Sequence, residues 1–92
     1  MARRSKKETA NMFRSMAVLL RNTTWKCGRL ERLVVKNLQT HFVREGKAWS
    51  NIKDMLSQFK LQGKQKNEFF DALRRLERRR IIRIDLFELN LL

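Results

Sequence analysis

Apolar positions recur at helical spacing in four blocks of this 92-residue chain, then switch to alternation near its end. Met12, Phe13, Met16, Leu19 and Leu20 recur at three and four residues, and Ser5 with Glu8 forms a capping box ahead of them. This predicts helix A over about 6–21, with 1–5 left as an arm. Leu30, Leu33, Val34, Leu38, His41 and Phe42 share a second face, with Arg29, Arg32, Lys36 and Arg44 off it. This predicts helix B over about 27–45, closed by Gly46 as a left-handed cap. Ser50 precedes Ile52, Met55, Leu56 and Phe59, which predicts a short helix C over about 51–60. Phe69, Leu73 and Leu76, flanked by Phe70 and Ala72, predict helix D over about 64–80. In 81–92 the texture changes. Ile82, Ile84 and Leu86 alternate with polar residues, and the parity then shifts to Leu89 and Leu91. A strand or hairpin with a turn or bulge near Phe87-Glu88 accommodates that shift; a helix apolar on all sides is the other reading.

The pattern describes a single domain of mainly α (α+β) class. Trp25 and Trp49 flank helix B and are expected to close its two ends, each indole N–H finding a carbonyl. Stacking of either ring on an unpaired base is the alternative.

Charge changes the picture from fold to partner. The chain holds 22 Lys and Arg against 9 acids, a net +13. Self-repulsion of that size favours an anionic partner and argues against an ordinary metabolic enzyme. The last twelve residues hold a single base, Arg83, and two acids, Asp85 and Glu88. The excess therefore lies upstream, with residues 1–46 at +8 and residues 47–92 at +5.

Three stretches carry a family likeness: Ile52-Lys53-Asp54-Met55-Leu56, the turn at Gly63, and the run from Phe69-Phe70-Asp71-Ala72-Leu73 through Arg78-Arg79-Arg80 to Ile81-Ile82-Arg83-Ile84. With helix B before them, residues 29–92 resemble the winged-helix variety of helix-turn-helix DNA-binding domain. The resemblance implies a winged-helix-like domain with an extra N-terminal helix. It implies that helix D lies in the major groove, its N-terminal part near base edges, and that the C-terminal segment is the wing. Arg80 stands where that family often has a glycine, and the segment after it lacks basic residues beyond Arg83.

The chemistry of helix D points the same way. Gln65, Asn67 and Glu68 can read base edges. Lys60, Lys64, Lys66, Arg74, Arg75 and Arg78 can neutralise phosphates, helped by amides at the helix start. Arg3, Arg4, Lys6 and Lys7 form a phosphate-tracking or minor-groove arm. The plainer reading of Arg78-Arg79-Arg80 is complementation of the helix dipole.

No catalytic, metal or cofactor site is expected. Cys27 and His41 are lone residues of their kinds, read as a buried thiol and a hydrogen-bonded structural imidazole. Asp54, Glu68 and Asp71 have basic neighbours as salt-bridge partners. No apolar run approaches the roughly 20 residues that span a bilayer. The expected function is that of a small DNA-binding transcriptional or architectural factor, intracellular in cytoplasm, nucleoid or nucleus, with a homodimer formed through 81–92. The basic start also fits a mitochondrial presequence. Two alternatives remain: an RNA-binding or ribonucleoprotein component, and a phage- or plasmid-type protein-interaction module docking through Leu86, Phe87, Leu89 and Leu91.

Overall fold

A computed structural model describes residues 12 and 14–86. The elements run β1 (Ser15–Leu19), α1 (Arg29–Glu45), β2 (Trp49–Asn51), α2 (Ile52–Phe59), α3 (Lys64–Arg78) and β3 (Ile82–Leu86). The result is a small α+β domain. Its three strands form an antiparallel sheet of order β2-β1-β3. The second half of the 81–92 segment and the arm residues Arg3, Arg4, Lys6 and Lys7 lie outside the described residues.

The first block is corrected. Helix A was expected to reach residue 21, but Ser15–Leu19 is the central strand, paired on both sides. A short continuous apolar run satisfies a buried strand as well as a helix, and periodicity alone does not separate them. Val18 and its neighbours bury more backbone polarity here, because both edges of β1 find ladder partners. Met12 has helical backbone and is buried, while 6–11 and 13 lie outside the described residues.

Register sorts the sheet into two faces. Ala17 pairs with Ser50 and Ile84, and Leu19 with Ile82, so these side chains share the face towards the helices. Ala17 and Ser50 are small and buried, which lets the helices approach the sheet closely. Met16, Val18, Trp49, Arg83 and Asp85 occupy the other face. Trp49 is therefore half-buried on the outer face of the sheet, with the Lys47 ammonium 5.6 Å from its ring centroid.

The helices supply the rest of the core. Ile52, Met55 and Leu56 of α2 and Phe69, Phe70, Ala72, Leu73 and Leu76 of α3 are buried, as the spacing predicts. In α1 the buried stripe is turned relative to expectation. Val34, Val35 and Leu38 are buried with Asn37, whereas Leu33 and Phe42 are exposed. Asn37 Nδ2 donates to Gln58 Oε1 of α2 at 3.3 Å, while its buried Oδ1 has no hydrogen-bond partner among the described residues.

The end of α3 explains the missing glycine. Ile81 N–H donates to Leu76 O at 3.0 Å and Arg80 N–H to Glu77 O at 2.9 Å. This is a Schellman closure, with Leu76 and Ile81 making its apolar contact. The residue at the turn must be left-handed, and Arg80 takes φ 58° where glycine would do so without steric cost. The helix thus stops at Arg78, two residues before the predicted end. Gly46 closes α1 as predicted, at φ 73°.

Candidate nucleic-acid interface

Helix α3 is anchored by one apolar stripe, so its remaining surface faces outward along its whole length. Lys64, Gln65, Lys66, Asn67 and Glu68 of its first turns are exposed. Gly63, at φ 60°, turns the chain into the helix. Lys60 ends α2 in left-handed backbone, φ 56°, and is exposed. The predicted base-reading and phosphate residues of this half are therefore brought together.

A groove of about 480 Å³ runs between the start of α1, the α2–α3 turn and α3. Leu30, Leu33, Phe59 and Leu61 supply its apolar lining; Arg29, Lys60, Gln65, Glu68, Asp71 and Arg75 supply its polar lining. Glu68 and Asp71 interrupt the positive surface midway along α3.

The arginines of the second half do different jobs. Arg74 lies 3.3 Å from Glu77 on the same helix. Arg75 Nε donates to Glu31 Oε2 of α1 at 2.6 Å, tying the two helices. Glu31 also accepts the Gly28 N–H at 2.7 Å, closing the start of α1. Burial pushes the Glu31 carboxyl up, but the Gly28 amide, Arg75 and Arg79 together outweigh it and hold it below the ordinary range. Arg74 and Arg75 thus already hold carboxylates, while Arg78 is exposed.

Arg79 and Arg32 grip the segment 20–28 by its backbone. Arg79 donates to Trp25 O at 2.8 Å and to Lys26 O at 3.3 Å, and Arg32 to Cys27 O at 2.7 Å. Arg21 returns the bond, its Nη2 donating to Arg79 O at 3.0 Å. Leu20 and Arg21 N–H both donate to Ile81 O, and Gln39 holds the Asn22 side chain.

Trp25 is the main departure from expectation at this surface. It does not close the core; it is 68% exposed. The carbonyls around it are drawn to Arg79, so the backbone packs inward and the indole turns out. Lys26, left-handed at φ 56°, places its ammonium 4.7 Å from the ring centroid. Trp25 borders a shallow hollow of about 770 Å³ lined also by Lys26, Gly28, Glu31, Arg75, Arg78 and Arg79. Sequence reasoning left Arg21, Lys26 and Arg29 out of the site. The one available signal was an aromatic-basic pair, Trp25-Lys26, inside a predicted connection rather than a helix.

Cys27 is buried, with Arg79 Nη1 at 3.6 Å from its sulfur. His41 lies 3.8 Å from Glu45 on a half-exposed face of α1. Among the described residues, no group of three or more His, Cys, Asp or Glu side chains comes together. No described helix is long and apolar enough to cross a membrane. No family model, curated protein or solved structure matches the chain.

Proposed function

We propose that this chain binds nucleic acid, and double-stranded DNA first, with α3 as the groove-reading helix of a winged-helix-like domain. The observation that carries the reading is the outward, exposed run Lys64-Gln65-Lys66-Asn67 behind Lys60, on a chain of net charge +13. The order α1, β2, α2, turn, α3, β3 supports the winged-helix part, with β1 holding the middle place in the sheet. In this reading Gln65 and Asn67 face base edges, and Lys60, Lys64 and Lys66 face phosphates. Arg78 extends the contact towards the helix end.

The test is a salt titration of duplex binding by the wild type and by the Lys60→Ala, Lys64→Ala, Lys66→Ala triple variant. Each lost phosphate contact lowers the slope of log K against log salt by about 0.9, so the triple variant loses close to three. A wild type that prefers heparin to duplex at equal charge sinks sequence reading by α3.

A second reading is structured RNA. It is favoured by the exposed bases Arg29, Arg32, Lys36 and Arg44 on α1, which spread positive charge beyond α3. A hairpin RNA that outcompetes duplex DNA at equal salt decides for it.

A further inference from the structure

We propose that Trp25 is a stacking platform for an unpaired base of the bound nucleic acid, with Lys26 and Arg78 receiving the flanking phosphates. The inference rests on the nucleic-acid reading and adds a base-binding subsite that α3 does not supply.

The indole is a large apolar group left in water on a loop that is otherwise tied down. The Trp25 backbone N–H donates to Thr23 Oγ1 at 3.1 Å, and the backbone carbonyls of Trp25 and Lys26 accept from Arg79. A ring held on a fixed backbone loses little freedom on stacking, which is what a base platform requires. The surroundings are complementary to a nucleotide. Lys26, Arg75, Arg78 and Arg79 wall the hollow beside the ring. Its acid, Glu31, is buried and already neutralised by Arg75 at 2.6 Å. The Lys26 ammonium engages one face of the ring, and the base takes the other.

Two further facts fit a built site. Lys26 holds a left-handed conformation that L-residues rarely adopt, and such strain persists where a side chain is needed in place. The hollow also adjoins the groove beside α3, because Arg75 of that helix lines both. A strand tracking α3 towards its C-terminal end therefore arrives at Trp25. Every free base presents a π-face, so this contact tolerates sequence; it separates unpaired from paired bases, which remain stacked in a duplex.

The test measures affinity of the full chain for three labelled probes at fixed salt: oligo-dT, oligo-rU and a duplex, each of about 12 nucleotides or pairs. Trp25→Ala is expected to weaken binding to the strands roughly 5- to 150-fold, the range of one base–aromatic stack. Duplex affinity is expected to move less than about twofold, since no unpaired base is present. Trp25→Phe restores most of the loss, and Arg78→Ala flattens the salt slope by about one. The tighter of dT and rU identifies the strand the platform takes. An unchanged melting temperature shows that Trp25→Ala remains folded. A wild type that binds while Trp25→Ala leaves strand affinity intact, or weakens strand and duplex alike, overturns the platform and leaves the nucleic-acid reading standing. A wild type that binds none of the three probes overturns both.

Discussion

Glu31 is where charge, fold and the candidate surface meet in one side chain. It is buried, closes the start of α1 through the Gly28 amide, and receives Arg75 from α3. Its carboxyl is stabilised in the charged form below its ordinary value of 4.5. The folded state therefore holds this proton less tightly than the unfolded chain does. The stability it contributes is complete above that value and is lost as pH falls through the lower folded one. Glu31→Gln keeps the shape and removes the charge. We expect it to destabilise the domain by about 1–2 kcal/mol at neutral pH, read from denaturant midpoints. The gap should close in acid, as the wild-type carboxyl protonates. A gap that persists at low pH would show that packing, not charge, sets the role of Glu31.

At the scale of elements, α2 and α3 were legible because their apolar residues repeat with one helical phase and end at turn signals. Phe69, Leu73 and Leu76 mark α3, and the spacing gives its outward face, on which Lys64 to Asn67 are exposed. What was not legible depended on partners far along the chain. Met16 and Leu19 fit a helical stripe locally, yet β1 is fixed by ladders to Asn51 and Ile82. The stripe of α1 turns so that Asn37 lies inside, its Nδ2 meeting Gln58 of α2, a pairing no local pattern displays. Trp25 was misplaced for a related reason. Hydrophobicity says that an indole belongs inside, but Arg79 holds the carbonyls behind it and leaves the ring outside. The position of β1 carries its own prediction. Ala17 is fully buried in the middle of the sheet, opposite Ser50 and Ile84. Ala17→Leu adds volume where the helices sit closest and is expected to cost about 1–3 kcal/mol. The denaturant midpoint should fall with the m-value unchanged; a neutral substitution would place β1 outside the sheet.

For the whole molecule, the net charge of +13 acts on folding and on binding with opposite signs. Like charges crowd together in the folded chain, so added salt screens repulsion and stabilises it. The same salt removes the advantage of counterion release and weakens a phosphate-bound complex. Melting temperature should therefore rise between low and roughly 0.5 M sodium chloride, where the screening length shrinks to a few ångströms. Duplex affinity should fall over the same range. A melting temperature that falls with salt would mean that internal ion pairs such as Glu31–Arg75 outweigh the repulsion.

The central place of β1 has a consequence in time. Ser15 pairs with Leu86 and Leu19 with Ile82, so the innermost strand is synthesised long before one of its two neighbours. The helices close locally and form early, whereas the sheet waits on a distant contact, the kind that slows folding. Until then Ser15–Leu19 is an apolar strand with the edge that β3 will cover left open, a template for pairing between chains. Arg14 and Arg21 stand at its two ends and supply the like charge that keeps such segments apart. The basic residues nearest β1 thus guard the chain while it is being made, before any surface for a partner exists.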